Sequence, residues 1–156
     1  MQKTAHGIKT RVSSIFIACF VFGALFIFER LLKLLAAARL SENQTEGFFI
    51  ISSLGLRLFK NKNFFGIVAL PSFFGIALMI IFLIFIFTLL RKELAGGKKV
   101  AALWLSLALI GALSNTIDRV FLGQVIDYLV IGPWAINLAD MLIVSGLIMY
   151  LKDSKF

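Results

Sequence analysis

Asp127 and Asp140 stand thirteen residues apart in GQVIDYLVIGPWAINLAD, one just before an apolar segment and the other inside it. An ionised side chain in hydrocarbon costs roughly 2.5–3.5 kcal/mol on insertion scales, so two retained carboxylates imply a task or a partner. Along one straight helix they would lie about 20 Å apart, and they meet only if the chain reverses between them. Gly132 and Pro133 supply that reversal. Asn115, Asp118 and Arg119 lie upstream, and Asn137 lies beside Asp140, so polar groups gather where two apolar segments converge. Two close carboxylates share a proton, because the first charge opposes the second. Such a pair can hydrolyse a peptide bond: one member takes a proton from water while the other protonates the carbonyl or the leaving amine. The same residues also fit a proton or ion pathway, or hydrogen bonds that only tie helices together.

The composition narrows the setting. Of 156 residues, 60% are hydrophobic and 15% charged, against about 25% charged in soluble domains. Mean hydropathy is +0.98. The net charge of +8 would favour nucleic acid in a soluble chain, but beside apolar runs basic residues set membrane topology instead. One cysteine, Cys19, and one histidine, His6, leave no internal disulfide, no Cys/His metal cluster and no Ser-His-Asp or Cys-His nucleophile. A carboxylate pair needs none of these.

The elements that must position the carboxylates are four apolar runs. The sequence predicts an all-α membrane protein forming a single domain over 1–156, with spans near 12–28, 64–90, 100–117 and 134–151. The first run competes with a cleaved signal peptide, given Ala36 to Ala38, but it is long for that role and Glu29, Arg30 and Lys33 intervene. Nine of the sixteen Lys and Arg fall in the N-terminal tail, the 91–99 loop and the C-terminal tail. That distribution places both termini in the cytoplasm and the 29–63 and 115–133 connections outside. The 29–63 connection is expected to be a small extracytoplasmic segment. Within it, FFIISSLGLRLFKNKN admits short β-strands and ERLLKLLAAARL a surface helix. Asn115 and Arg119 share a face if the third helix runs that far, and Asn137 and Asp140 are placed at i, i+3 on the fourth.

These residues also carry a family likeness. GALSNTIDRVFLGQVIDYL followed by INLAD resembles the lipoprotein signal peptidase family (signal peptidase II), whose pattern is Asn-x-x-Asp-Arg, Gly-x-Val-x-Asp-aromatic and Asn-x-Ala-Asp. The resemblance implies that Asp127 and Asp140 are catalytic. It implies that Asn115, Arg119, Asn137 and Ala139 support them or contact substrate, and that Asp118 and Gly123 are structural. ERLLK resembles the family's Asp-Gln-x-x-Lys element, with Lys33 in place and Glu29 for the aspartate. NKNFFGI resembles its Asn-x-Gly-x-Ala-Phe element, with Asn61 as the matching asparagine and Asn63 close behind. The implied activity is removal of the signal peptide from bacterial prolipoproteins, before a diacylglyceryl-modified cysteine. No metal or cofactor is implied, and the partners are that substrate and membrane lipid, with no nucleic acid, for a monomer of the bacterial inner membrane. A small ion-coupled carrier and a catalytically degenerate homologue are the competing functions. Trp134 is expected to be an interfacial anchor.

Overall fold

The computed structural model describes residues 2–42, 48–51, 53–62 and 72–154. Four helices, α1 (Gln2–Arg39), α2 (Ser72–Ala95), α3 (Lys99–Leu122) and α4 (Leu138–Asp153), combine with strands β1 (Phe48–Ile51), β2 (Leu54–Asn61), β3 (Val125–Ile131) and β4 (Trp134–Ile136). The strands form one antiparallel sheet in the order β1-β2-β3-β4. The fold is thus mostly helical with a small sheet, of which the sequence admitted the strands between the first two helices but not β3 and β4. Among the described residues, Phe73–Ala95 and Lys99–Leu122 are long and apolar enough to cross a membrane.

Three boundaries differ from the sequence reading, each for a tertiary reason. The first helix does not stop at Phe28 but continues unbroken to Arg39, absorbing the expected surface helix. Its polar residues Glu29, Arg30 and Lys33 are held by α3 and β3 rather than by water. The 134–151 run divides: Trp134–Ile136 pairs with Leu129–Ile131 as a strand, and the helix begins only at Leu138. The third helix extends to Leu122 and so carries both Asn115 and Arg119. Residues 64–71 of the expected second span, and Asn63, lie outside the described residues. The strands expected in 48–61 are present.

Two cores hold these pieces. Ile86 and Leu90 of α2 pack with Ala102, Leu105 and Ala108 of α3. The α3–α4 contact is closer still, because Gly146 lies where a Cβ would come 2.6 Å from the Trp104 carbonyl oxygen and 2.9 Å from the Ala108 nitrogen. Small residues at such crossings let backbones approach without a hydrophobic driving force. The second core joins Ala36 of α1 and Leu58 of β2 to Ile126 and Tyr128 of β3, docking the sheet against the end of α1. Alternation along β2 then sends Leu58 into this core and Arg57, Phe59 and Asn61 to the opposite face.

Candidate active site

The last turns of α3 supply Asn115, Asp118 and Arg119, all buried. The helix stops at Gly123, whose φ of 69° is the left-handed conformation that closes a helix end without side-chain strain, and whose N–H donates to the Arg119 carbonyl at 3.1 Å. Two residues later β3 begins, with Asp127 as its third residue. The strand reverses at Gly132 (φ 59°), pinned by an N–H donation to the Ser53 carbonyl at 2.7 Å. The short β4 returns the chain to α4, which starts beside Asp127. The reversal the sequence required is therefore a β-hairpin.

The N-terminus of α4 is fully provided for. A helix leaves its first four N–H groups without internal partners. Here Leu138 N–H donates to the Tyr128 hydroxyl at 3.0 Å, Ala139 N–H to Glu29, Asp140 N–H to Asn137 Oδ1 at 2.8 Å, and Met141 N–H to the Asn137 carbonyl at 3.3 Å. Asp140 returns the bond, its Oδ2 accepting Asn137 N–H at 3.2 Å. Asn137 is thus the N-cap in extended backbone, and not on the helix face where the spacing placed it. The Asn-x-x-Asp spacing is a capping-box pattern, so this signal was present in the sequence.

One hydrogen-bonded network joins the two carboxylates. Asn137 Nδ2 donates to Asp127 Oδ1 at 2.6 Å, with Asn115 Oδ1 at 3.2 Å and the Ile126 carbonyl at 3.3 Å also within reach. Asn115 Nδ2 donates to Asp140 Oδ1 at 2.7 Å. From β2, Asn61 Nδ2 donates to Asp127 Oδ2 at 3.1 Å, a diagonal contact set by the register Phe59↔Asp127 and Asn61↔Val125. Burial, reinforced by the Asp140 charge, pushes Asp127 from the ordinary carboxylate range up to about 7, against the donors from Asn61 and Asn137. Burial likewise raises the Tyr128 hydroxyl above the ordinary phenol range.

Behind this network lies a second, ionic one. Lys33 Nζ reaches Asn115 Oδ1 and Asp118 Oδ2, each at 2.7 Å, and stands 3.4 Å from Glu29 Oε1. Arg30 pairs with Asp118 Oδ1 and donates to the Ser114 carbonyl at 3.3 Å. Asp118 Oδ2 also accepts Ile126 N–H at 3.3 Å, locking the start of β3 to α3. Tyr128 OH donates to Glu29 Oε2 at 2.9 Å while receiving Leu138 N–H. Tyr128→Phe should therefore strand a buried helix N–H and a carboxylate oxygen together. We expect a loss of about 1–3 kcal/mol, read as a lowered unfolding temperature in detergent.

In front of the carboxylates is a cavity of about 1250 Å³. Asn61, Asn115, Arg119, Asp127 and Asp140 line it, with apolar walls from α2 (Leu78, Met79, Phe82), α4 (Ile143, Val144, Leu147) and the β3–β4 hairpin. Arg119 also donates to the Lys62 carbonyl at 3.4 Å. Five of the sequence-expected residues thus face the cavity. Glu29, Lys33, Asp118, Asn137 and Ala139 do not. They are buried behind it. The sequence reading missed Arg30, Tyr128 and Arg57. The aromatic position after Asp127 in the family pattern pointed to Tyr128, whereas nothing local distinguished Arg30 from an interfacial anchor. Trp134 lines the cavity and is 57% exposed.

This arrangement has relatives. The family model described as signal peptidase (SPase) II matches residues 21–156. Proteins named lipoprotein signal peptidase are similar in sequence: that of Janthinobacterium sp. (strain Marseille) is 43% identical over 75 residues, covering 45% of this chain and 44% of the relative. That of Burkholderia vietnamiensis (strain G4 / LMG 22486) is 43% identical over 70 residues, covering 42% and 41%. The chain spans less than half the length of these curated relatives in the matched segments. Two solved bacterial membrane enzyme structures share the fold. One, at 2.3 Å resolution, has a TM-score of 0.69 and 24% identity over 88% of this chain and 89% of the other. The second, at 1.9 Å, has a TM-score of 0.70 and 21% identity over 88% and 91%.

Proposed function

The chain belongs to the signal peptidase II family, and from that premise we propose that it is a membrane aspartyl endopeptidase cleaving bacterial prolipoproteins before a diacylglyceryl-modified cysteine. The observation that carries this reading is Asn137, which donates to one carboxylate and is capped reciprocally by the other, so that both face one cavity. In the proposed mechanism the pair holds one proton. Asp140, whose oxygens receive Asn115 and Asn137, takes a proton from water as the water oxygen adds to the scissile carbonyl carbon. Asp127 gives its proton to the carbonyl oxygen. In the collapse of the tetrahedral species, Asp140 protonates the departing nitrogen and Asp127 recovers a proton from the hydroxyl. The apolar walls seat the lipid of the substrate, whose binding energy orients the bond.

Four helices crossing the bacterial cytoplasmic membrane, with both termini inside and the sheet outside, would place the pair at the outer surface. A lipidated cysteine would hold its peptide bond there. The exposed apolar residues of α2, including Ile80, Ile81, Ile84 and Phe85, suit lipid contact.

The test is cleavage of a diacylglyceryl-modified prolipoprotein by purified protein in detergent, followed by gel shift with a chelator present. Cleavage indifferent to the chelator is expected. Its absence from folded protein would return the carrier and degenerate-homologue readings. The pH profile adds a sharper check. If the singly protonated pair is the active form, loss of the Asp127 proton removes the general acid, so kcat/KM should fall tenfold per unit above about pH 7. Asn61 lowers the Asp127 pKa by donating to its ionised form. Asn61→Ala should therefore move this alkaline limb to higher pH. A limb that stays in place or moves down would contradict the assignment.

A further inference from the structure

We propose that Arg57 is a specificity-determining residue of the cavity, reading the ester carbonyl oxygens of the substrate's diacylglyceryl group. This rests on the peptidase reading above and extends it to the lipid. Arg57 shares the cavity face of β2 with Phe59, which pairs with Asp127, and Asn61, which hydrogen-bonds to it. At the rise of a strand Arg57 lies about 13 Å along β2 from Asn61, beyond the carboxylate pair. The β2–β3 register is irregular between Leu56 and Phe59. Arg57 lies in that interval, and a bulge of this kind re-aims a side chain.

The other cations tied to the site have stated partners. Arg30 and Lys33 hold Asp118, and Arg119 reaches the Lys62 carbonyl. Arg57 is different. Its Nε is buried without a hydrogen-bond partner, as is that of Arg119, but among the described residues no other side-chain hydrogen bond or carboxylate pairing holds Arg57. A guanidinium only donates, so its chemistry calls for an oxygen acceptor delivered by whatever fills the cavity. The surroundings define that acceptor further. Phe49 and Phe59 on the sheet, with Leu78 and Phe82 on α2, line the same cavity and offer no polar group to a ligand. An acceptor that arrives attached to hydrocarbon fits this wall. A glycerol diester supplies two carbonyl oxygens a few bonds beyond the cysteine sulfur, each leading into an acyl chain.

The experiment compares two peptide substrates of identical sequence and chain length, one with diacylglyceryl-cysteine and one with the dialkyl ether, which lacks the carbonyl oxygens. Wild type should favour the diester by about ten- to hundredfold in kcat/KM, as expected for a charge-assisted hydrogen bond. In Arg57→Gln the ratio should fall close to one, with the change in KM. Arg57→Lys keeps the charge without the fork and should give an intermediate ratio, and it decides the matter if the glutamine variant does not fold. An equal loss on both substrates would mean a peptide carbonyl or packing role, and would overturn the assignment. So would a wild type indifferent to the ester, or variants that keep the wild-type ratio. Wild type cleaving neither substrate would instead overturn the peptidase reading itself.

Discussion

Asp127→Asn and Asp140→Asn are each expected to lower the cleavage rate by roughly 10²–10⁴-fold, the range that general acid–base groups contribute, while the protein still folds. The two variants fail for different reasons. Asn at 127 can accept from Asn137 or Asn61 but has no proton of suitable acidity to give the carbonyl oxygen. Asn at 140 cannot take a proton from water, although its amide oxygen can still close the cap. Stability separates chemistry from collapse. The folded Asp127 pKa lies above its unfolded value, at about 7 against 3.8, so the carboxyl opposes folding increasingly as pH rises between them. Asp127→Asn removes that penalty and loses part of one hydrogen bond, so its unfolding temperature at pH 8 should lie no more than about 4 °C below that of wild type. A variant that is inactive because it is unfolded would fail this comparison. A folded variant with wild-type cleavage would end the dyad reading.

The largest effect on stability is expected at Asp118, which faces no substrate. Its carboxylate is fully buried and receives Arg30, Lys33 and the backbone N–H of Ile126. Asp118→Ala leaves the buried Lys33 ammonium without its chief counter-charge and frees the start of β3 from α3. Removing one partner from a buried ion pair costs about 3–5 kcal/mol, because the remaining charge stays desolvated. Thermal unfolding in detergent should show a drop of that size. Asp118→Asn should lose nearly as much, since it restores the shape without the charge. A loss below about 1 kcal/mol, the value typical of surface pairs, would mean that water reaches this network.

These effects show where the sequence was readable. Asp127, Asp140, Asn115 and Arg119 were legible because polar residues in apolar runs are costly and because their spacing demanded a chain reversal. The reversal's form was not legible. VIDYLVI and WAI read as hydrophobic runs, and only pairing with β2, some seventy residues away, makes them strands. The end of the first helix was misplaced for a related reason. Glu29, Arg30 and Lys33 look like an exit into water, and periodicity carries no information that Asp118 and Tyr128 lie ready to receive them. Glu29 and Lys33 instead lie behind the cavity, where they meet Tyr128, Asn115 and Asp118. Asn137 was misjudged locally, its cap pattern being taken for helix spacing.

Asp140 occupies a helix cap and faces the cavity with the same carboxylate, which bears on how this chain can drift over generations. Codons for Asp and Glu differ at one base, so the longer acid is a short mutational step from either position. At 29 that step is accommodated, because the carboxylate meets a phenol and a backbone N–H across a helix contact. At 140 a glutamate can still close the capping box, but its added methylene would shift the oxygen proposed to react within the cavity, so one base change would spare the fold element and displace the chemistry. Wall residues of the cavity can vary one at a time and be sorted by selection for substrate. Position 140 has no such neutral neighbourhood, and a library sampling every residue there should return Asp alone.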